Sequence, residues 1–416
     1  MIKEIVCTKE RKTSLTVTNS EISAVLRSNI QKTGIRLYEN GCLGIAGAIG
    51  AYDDNELTNN AKHMLKFKLP YDCAVTVDEK RSVDFSDRLG VTDEQFVDMA
   101  ERVLETLRDK YPEFMFAHKL NLIETEDSLR NDAGTLLIQK DRYVELTLLY
   151  KYRESNNLMD GHGFVVGRHM DFDVIMREMT VQCQAYKEKV DFSEENQKIP
   201  VVLLGSHQEF TKKFLTDLEG NSFGNGASIF SGKTGELLFS DKLSLIVDRN
   251  TEISLSRFFD GEGTVLPQDR FSLIENGVLK APYADKRIAG KYGFTTTGSA
   301  SLVYDSAPAA SPNEVAIARS DKTIIELLAG RKAVYAVIAG GGDFTPQGEY
   351  ASPIQVAFMY DGENYLGRLP QLSMSSNVYD MFGKDFIGVS SEGSYPDCPV
   401  SFLAIDMNVR KIDAWM

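Results

Sequence analysis

The hydrophobic and polar positions at the start of the chain have the spacing of short strands. Alternating apolar residues predict strands at Glu4–Thr8 and Leu15–Thr18. Two further strands, Gly34–Tyr38 and Cys42–Gly47, flank Asn40-Gly41. Because Asn-Gly tolerates the positive φ angles of a tight turn, these two strands predict a hairpin.

The pattern then changes to helical spacing and back. A helix is predicted at Asn55–Phe67, and another at Thr92–Lys110, where Thr92 and Gln95 form a capping box. After them the chain alternates again before a last amphipathic helix. The predicted strands are Leu120–Glu126, Gly134–Gln139, Tyr143–Tyr152 and Gly161–His169, and the helix is Asp171–Lys189.

A polar stretch at Asp191–Lys198, which ends before Pro200, is the best candidate for a domain boundary. A chain of 416 residues favours two domains. We therefore predict an N-terminal domain at 1–195 and a C-terminal domain at 196–416. The fold class that follows is α+β, with a mixed sheet-and-helix N-terminal domain and a β-rich C-terminal domain.

The C-terminal half begins with a strand at Val201–Leu204 and a helix at Gln208–Gly220, for which Ser206 and Glu209 supply the cap. Short strands and turns dominate thereafter. The hairpin strands Ser272–Ile274 and Val278–Leu279 flank Glu275-Asn276-Gly277, and Ala333–Ile338 is a further strand; helical segments are predicted at Ser320–Leu328 and Val378–Phe382.

Composition narrows the function classes. The net charge of −14 argues against nucleic acid as the main partner, since phosphate binding favours a basic surface. The sequence has no apolar run of membrane-spanning length and no signal peptide pattern, so a cytoplasmic location is expected. The five cysteines form no Cys-x-x-Cys pair, which predicts reduced thiols.

Four segments stand out as motifs: Asp260-Gly261-Glu262-Gly263-Thr264, Thr295-Thr296-Thr297-Gly298-Ser299-Ala300, Met374–Phe382 and, in the N-terminal half, Thr33–Gly41. Together they resemble the TldD/PmbA family, whose members are called modulators of DNA gyrase and are classed with metallopeptidases. The resemblance is strongest from about Ser228 to Val409.

The catalytic branch of that family carries His-Glu-x-x-x-His on a helix, where two imidazoles bind zinc and the glutamate polarises water. Leu218-Glu219-Gly220 and Ser228–Lys233 resemble the motifs that follow this helix, and they place its three functional positions on Thr211, Lys212 and Thr216. None is a good zinc ligand. The resemblance thus implies a metal-less member, with no metal, cofactor or catalytic residue in this chain and zinc only in a homologous partner.

The resemblance also implies a substrate cleft near a glycine-rich segment. Gly340-Gly341-Gly342-Asp343 lacks the Gly-Lys-Ser/Thr of a nucleotide loop, so a turn is the simpler interpretation. Family members line their cleft with this segment and with a Thr-Gly-Asp-Phe/Tyr-Ser-like piece; here Pro346 and a missing serine depart from it. The candidate cleft residues are Gly341, Gly342, Gly348, Glu349, Tyr350 and Asn377.

Two other constellations are open to a catalytic reading. Asp260 and Glu262 could form a general acid–base pair, but on a glycine loop they are more typical of backbone capping or of a pair with Arg257. Cys398 lies where the catalytic branch supplies a cysteine ligand, although Pro396-Asp397-Cys398-Pro399 does not match that branch. A buried thiol is the simpler interpretation.

The function implied is that of a partner subunit of a zinc metallopeptidase, acting in proteolysis or peptide maturation. The expected partners are a homologous zinc-bearing TldD-like subunit, a second copy in a homodimer, or both, together with a peptide substrate; no membrane and no direct nucleic acid binding are expected. The alternative is a stand-alone peptide-binding or scaffolding protein. An autonomous hydrolase with a different metal set is disfavoured, because no His/Cys pair is clustered in the sequence.

Overall fold

The computed structural model describes residues 1–193, 197–205 and 208–412. Strands predominate, and the helices are set apart from them rather than alternating with them, which confirms the α+β class. The N-terminal part combines one large sheet with helices, and the C-terminal part is β-rich. The predicted boundary at residue 195 lies outside the described residues and stays a prediction.

The N-terminal strands form one mostly antiparallel sheet. In chain order they are β1 Ile2–Thr18, β2 Glu21–Glu39, β3 Cys42–Ile49, β4 Leu69–Pro70, β5 Lys80–Asp84, β6 Phe114–Asn131, β7 Leu136–Tyr152 and β8 Gly161–Gly167. The pairing order is β4-β3-β2-β1-β6-β7-β5, and β8 also pairs with β7. Only β5 pairs in parallel among the described strands of this sheet.

Several of these strands are longer than predicted. The two pieces Glu4–Thr8 and Leu15–Thr18 are one strand, as are Gly134–Gln139 and Tyr143–Tyr152, and the strand predicted at Gly34–Tyr38 starts at Glu21. The charged residues in between interrupt the hydrophobic pattern, but β1 is paired on both sides. Ion pairs such as Lys9–Glu126, at 2.7 Å, keep those side chains at the sheet surface.

Three helices accompany the N-terminal sheet: α1 Asp54–Met64, α2 Asp93–Lys110 and α3 Phe172–Ala185. The capping box of α2 is confirmed, because Thr92 and Gln95 exchange hydrogen bonds of 3.2 and 2.9 Å. The third helix is shorter than predicted: Asp171 is its cap, and Tyr186 follows its last residue. Short 3-10 turns lie at Leu65–Phe67 and, in the other half, at Pro267–Asp269.

The C-terminal part contains the remaining strands and helices. The strands are β9 Gln197–Gly205, β10 Leu245–Asp248, β11 Arg270–Glu275, β12 Val278–Leu279, β13 Val315–Ile317, β14 Ala333–Ile338, β15 Asp343–Phe344, β16 Glu349–Ile354, β17 Val356–Tyr360, β18 Tyr365–Arg368, β19 Leu372–Asn377, β20 Phe386–Val389 and β21 Ser401–Lys411. The helices are α4 Gln208–Asp217, α5 Gly220–Gly224, α6 Lys286–Tyr292, α7 Ile324–Leu328 and α8 Val378–Met381.

The larger C-terminal sheet must curl strongly. Its pairing order is β15-β16-β19-β21-β9-β14-β17-β18, with β20 paired to β21. The single residue Gln355 joins β16 to β17, although these strands are separated by four others in that order. The Gln355 amide also donates to the Ile338 carbonyl at 2.8 Å. A chain of one residue can connect such distant strands only if the sheet bends back on itself.

The smaller C-terminal sheet has the order β12-β11-β10-β13 and contains the predicted hairpin. Asn276 and Gly277 have φ angles of 47° and 78°, which confirms the tight turn. The helical turn at Val378–Phe382 is confirmed. The helix predicted at Ser320–Leu328 begins only at Ile324, because Thr323 forms its capping box with Glu326.

The two parts share hydrophobic contacts. Val356 and Phe358 of β17 pack with the core of the N-terminal sheet, which includes Leu148 and Tyr150. Phe258 and Phe259 of the C-terminal part pack against Val6 of β1. Among the described residues, no helix combines the length and the apolar character that a membrane crossing requires.

Candidate functional site

The helix α4 is held by an aromatic core rather than by its polar residues. Phe210, Phe214 and Leu218 are fully buried along one face. The Phe214 ring lies 4.6 Å from Phe382 and 5.2 Å from Phe239, centroid to centroid. The helix predicted to Gly220 ends at Asp217, because Gly220 begins the separate helix α5. Ser206, the predicted cap, lies outside the described residues.

The three positions of the family's metal motif are not arranged as ligands. The side chain of Thr211 is buried in the helix interface. The Lys212 ammonium lies 3.0 Å from Asp343 Oδ1, and both side chains are exposed. The Thr216 hydroxyl donates to the Lys212 carbonyl at 2.9 Å. A hydroxyl committed to the backbone and a protonated amine offer no thiolate, imidazole or carboxylate to zinc.

Carboxylates and thiols elsewhere do not replace these positions. In the three described segments, no three His, Cys, Asp or Glu side chains come together in a group that could hold a metal ion. A buried threonine, an exposed lysine and a threonine bonded to the backbone do not fit zinc at the three motif positions.

A buried ion pair, which the sequence analysis did not identify, connects α4 to the hairpin formed by β15 and β16. Lys213 and Asp217 are both buried, and Lys213 Nζ lies 2.8 Å from Asp217 Oδ2. The same ammonium donates to the Pro346 carbonyl at 2.8 Å, while Asp217 Oδ1 accepts from the Ile229 amide at 3.0 Å. The spacing of four residues between Lys213 and Asp217 could have indicated this ion pair from the sequence. Such a spacing, however, is typical of ion pairs on the surface of a helix and does not predict burial.

The candidate Tyr350 is buried behind α4 and hydrogen-bonds Glu209. Its hydroxyl donates to Glu209 Oε1 at 3.0 Å, and Ser352 Oγ donates to the same oxygen at 3.3 Å. The ring packs between Phe210 and Phe344 at centroid distances of 5.3 and 4.7 Å. Burial raises the pKa of the Tyr350 phenol, and the Glu209 carboxylate adds to the rise. Tyr350 is therefore a neutral donor that orients Glu209.

Two of the candidate glycines stand where a side chain cannot fit. A Cβ on Gly342 would lie 2.3 Å from the Ser352 Cβ, so the two backbones approach closely. Gly348 has a φ of 95° and would place a Cβ 2.7 Å from Val378 Cγ1. Gly341, at a φ of 91°, has open space around it. The glycine-rich segment is a turn between β14 and β15, as the simpler interpretation predicted.

The remaining candidates, Glu349 and Asn377, lie opposite each other where β16 begins and β19 ends. Glu349 is exposed and pairs with Asn377 across β16 and β19. Asn377 Oδ1 caps α8, since it accepts from the Tyr379 and Asp380 amides at 3.1 and 3.0 Å. The structure thus brings the metal-motif helix, the β15–β16 hairpin and the α8 cap into one contiguous site, joined through Lys212–Asp343 and Lys213–Pro346.

A groove that the sequence did not predict lies at the C-terminal end of β9. Three adjoining cavities of about 510, 370 and 320 Å³ share Ile253 in their walls. Gly205, the last residue of β9, lines the middle cavity three residues before α4 begins. Besides Gly205, the groove walls come from Arg88, 167–169, Arg177, Ile246, Asp248, 252–256, Arg270, 313–319 and 391–401. These loops are distant in sequence, so only folding assembles them.

Cys398 lies at one end of the groove, and its thiol is buried. Burial raises the pKa of the thiol, so it is not an activated thiolate. Arg319 donates to the Cys398 carbonyl at 3.0 Å and to the Ser391 carbonyl at 3.3 Å, which holds this loop in place. The interpretation of Cys398 as a buried thiol is confirmed.

Asp260 and Glu262 have separate structural roles. Asp260 caps backbone amides: its two oxygens accept from Glu262, Thr264 and Ala300 at 2.8–3.0 Å. Of the two structural interpretations, backbone capping is therefore confirmed for Asp260, whereas the Arg257 guanidinium contacts Asp127 at 3.4 Å. Asp260 is close to Arg257 in sequence, which suggested that they pair. In the folded chain, β6 brings Asp127 to Arg257 instead.

Glu262 is buried between the N-terminal and C-terminal parts. It accepts from the Tyr71 hydroxyl and, at 2.9 Å, from the Lys286 amide. Burial first, and then the charge of Asp260, raise the pKa of Glu262 to about 7. Glu262 does not line any of the three cavities of the groove. Its environment is that of a buried structural carboxylate.

Comparison with known proteins adds a family model that covers the C-terminal half. Residues 196–412 match the PmbA/TldA metallopeptidase C-terminal domain. A relative from Methanocaldococcus jannaschii, an uncharacterized protein, is 30% identical over 156 residues, which are 37% of this chain and 36% of the relative. The chain thus matches about a third of the length of that relative.

Solved structures resemble the chain over nearly its whole length. TldE from Thermococcus kodakarensis has a TM-score of 0.80 at 19% identity, over 98% of this chain and 96% of its own. A proposed modulator of a DNA gyrase from Thermotoga maritima has 0.79 at 16% identity, with the same coverage. Another from Bacteroides thetaiotaomicron has 0.77 at 15% identity, over 99% and 95%. At these identities the likeness describes the fold.

Proposed function

Because the chain belongs to the PmbA/TldD family, whose metallopeptidase C-terminal domain model matches residues 196–412, we propose that it is a metal-less member of that family. It acts as the partner subunit of a homologous zinc metallopeptidase, in proteolysis or peptide maturation in the cytoplasm. The partner supplies water activation, and this chain shapes the site that holds the peptide. The chain also shares its fold with TldE from Thermococcus kodakarensis over 98% of its length.

The observation that carries the proposal is the contact between Lys212 and Asp343. Lys212 stands at the position of the motif glutamate, and its ammonium is 3.0 Å from the Asp343 carboxylate. Hydrogen bonds from Lys212 and from the Phe344 amide lower the pKa of Asp343. A cation held at this position disfavours a divalent metal ion nearby. The same contact runs from α4 to the β15–β16 hairpin.

The site can still bind and orient a peptide. Glu209 and Glu349 present carboxylate oxygens on α4 and at the hairpin, and Tyr350 and Asn377 fix the positions of these elements. Such groups accept hydrogen bonds from backbone amides of an extended peptide. Tyr350 and Asn377 then act as positioning residues, since their polar atoms already serve Glu209 and α8.

Cleavage by reconstituted mixtures tests the proposal. The chain alone, a zinc-bearing homologue alone and their mixture are incubated with an unstructured fluorogenic peptide. We expect no cleavage by the chain alone and faster cleavage by the mixture than by the homologue alone. Cleavage by the isolated chain in chelator-treated buffer would contradict the proposal, as would a mixture no faster than the homologue.

Variants of the chain separate positioning from assembly. Tyr350→Phe removes the hydroxyl that serves Glu209, and Asn377→Ala removes the α8 cap. We expect both to lower the mixture's activity while the subunits still co-elute. The matched control is Tyr360→Phe, because Tyr360 is also a buried phenol, hydrogen-bonded to the Gly362 carbonyl at 2.7 Å but outside the site. Equal losses of activity in Tyr350→Phe and Tyr360→Phe would show that the site around Tyr350 has no specific role in cleavage.

A second candidate function is a stand-alone peptide-binding or scaffolding protein, and the groove at the end of β9 favours it. Cavities of about 510 and 370 Å³ are large enough for several side chains of a peptide. Binding of a labelled peptide library to the isolated chain, with no zinc-bearing homologue present, distinguishes this function. Tight binding without any gain in cleavage on mixing would favour it over the partner role.

A further inference from the structure

The segment between β4 and β5, residues 71–79, has neither helix nor strand and lies against both parts of the molecule. We call it the strap. Its middle is fixed to the N-terminal sheet, because the Thr76 carbonyl accepts from Asn131 Nδ2 and Thr135 Oγ1 at 2.9 and 2.7 Å. Tyr71 is its one buried side chain, and the others are half-buried or exposed. A segment with so little buried surface can open locally while the sheet stays folded.

The hydrogen bonds from the strap to the C-terminal part lead to two residues. The Tyr71 hydroxyl donates to the Glu262 carboxylate, and the Thr76 hydroxyl donates to the Glu262 carbonyl at 2.9 Å. Lys286 Nζ donates to the Ala74 carbonyl at 3.1 Å and to Thr76 Oγ1 at 2.9 Å. Among the residues that the structure describes, no other hydrogen bond joins the strap to the C-terminal part. Its closure therefore depends on Glu262 and Lys286.

The Glu262 carboxyl group has neutral hydrogen-bond partners. Its oxygens accept from the Tyr71 phenol and the Lys286 backbone amide, whereas the Lys286 ammonium lies 3.2 Å from the Glu262 carbonyl. The charged and titratable groups around Glu262 are Asp260 from its own loop, Tyr71 and Cys73 from the strap, Asp285, Lys286 and Arg287 from α6 and its cap, and Glu4, Arg36 and Tyr38 from β1 and β2.

Two other carboxylates crowd this buried group. Asp260 Oδ1 accepts from the Glu262 amide at 2.9 Å. Asp285 caps α6, and its Oδ2 is buried without a hydrogen bond, 3.6 Å from the Arg287 guanidinium. Burial and like charges both disfavour a further negative charge. Burial first, and then Asp260, accordingly raise the pKa of Glu262. The closed strap thus favours a protonated Glu262.

We propose that the strap is a pH-sensitive closure, which lies over the 260–264 loop while Glu262 holds a proton and opens when Glu262 ionises. The proton passes to solvent. Ionisation leaves a buried negative charge with neutral partners and two carboxylates nearby, and opening of the strap lets water solvate that charge. The closure concerns this chain alone and does not depend on a zinc-bearing partner.

The direction of the pH dependence follows from the two states of Glu262. In the open state water surrounds the side chain, which then has the ordinary pKa of a glutamate, whereas in the closed state the pKa is about 7. The closed state therefore binds more protons. Closure is fully favoured below the ordinary pKa and is lost as the pH rises through about 7. The open fraction should rise by up to about tenfold per pH unit below pH 7 and then level off.

Limited proteolysis of the full-length chain at pH 5, 6, 7 and 8 tests this closure. A protease of broad specificity cuts the strap from its open state, so the rate follows the open fraction. Glu262→Gln keeps the shape of the side chain but cannot ionise. Division of the parent rate by the Glu262→Gln rate at each pH cancels the pH dependence of the protease. We expect this ratio to rise at least about tenfold from pH 5 to pH 7, and by about twofold at most from pH 7 to pH 8.

The location of the first cut, mapped by mass spectrometry, separates local opening from global unfolding, and it should fall within residues 71–79. The matched control is Asp72→Asn, because Asp72 is an exposed carboxylate on the same strap, and it should keep the pH dependence of the parent. A synthetic peptide with the strap sequence gives a second reference rate that does not require Glu262→Gln to fold. A ratio that is constant with pH against both references would overturn the proposal, as would a first cut outside the strap or loss of the pH dependence in Asp72→Asn.

Discussion

The buried guanidinium of Arg36 donates to the carbonyl of Gly261 at 2.5 Å, and it joins segments that are 225 residues apart. Arg36 belongs to β2, and Gly261 lies between Asp260 and Glu262. The same guanidinium contacts Glu4 at 3.2 Å and the Val303 carbonyl at 3.0 Å. Two segments that carried the family resemblance thus meet in space and hold the N-terminal sheet against the C-terminal part.

We expect Arg36→Met to destabilise the protein by about 3–5 kcal/mol, because it leaves Glu4 buried without its cation. Urea unfolding followed by circular dichroism measures the effect. The control is Arg27→Met on the same strand, since Arg27 is exposed. Equal effects of the two substitutions would show that Arg36 is not a structural link.

The aromatic core of α4 predicts a second stability effect. Phe214→Ala removes a fully buried ring and should cost about 3–5 kcal/mol. Phe67→Ala is the matched control, since Phe67 is 70% exposed, and its effect should stay small. If the denaturant midpoint of Phe214→Ala stayed close to that of the parent chain, the aromatic core would not be what holds the helix.

The buried pair Lys213–Asp217 should show strong coupling. Each single substitution, Lys213→Met or Asp217→Leu, leaves an unpaired buried charge and should cost about 3–5 kcal/mol. The double variant should cost less than the sum of the two, because it removes both charges. A double-mutant cycle in urea measures this, and additive effects would mean that the two side chains act independently.

Glu262 should make stability depend on pH. Its folded pKa of about 7 lies above the ordinary value of a glutamate, so the folded protein binds more protons than the unfolded chain between about pH 4.5 and 7. Its contribution is fully present below the unfolded pKa and is lost as the pH rises through the folded pKa. Glu262→Gln should remove this slope.

The measurement compares unfolding free energies of the parent chain and Glu262→Gln at pH 5, 6, 7 and 8. The advantage of the parent should shrink as the pH rises to about 7 and then stay level. A difference that is constant with pH would show that Glu262 is ionised throughout this range.

The metal content of the purified chain is a further test. We expect no stoichiometric zinc, because Thr211, Lys212 and Thr216 stand at the ligand positions of the motif. Elemental analysis after dialysis measures it, with the zinc-bearing homologue as the positive control. About one zinc per chain, lost when a particular His or Cys is replaced, would contradict the expectation.

Elements whose signals are local were predictable from the sequence. The Asn276-Gly277 turn depends on two residues that tolerate positive φ, and the α2 cap depends on Thr92 and Gln95 three residues apart. Strand lengths were less predictable. β1 and β2 continue through charged residues because pairing across the sheet supplies hydrogen bonds that the chain segment itself does not reveal.

The sequence by itself determined the α+β class, the family resemblance and the residue types at the metal-motif positions, because periodicity, turns and residue identity are properties of short segments. Only the tertiary structure decided which residues share a site. The contacts Lys212–Asp343, Lys213–Pro346 and Tyr71–Glu262 join segments more than a hundred residues apart, and so do the walls of the groove at the end of β9. Such contacts depend on how the curled sheet and its loops pack, and no local sequence pattern encodes a contact between segments so far apart in the chain.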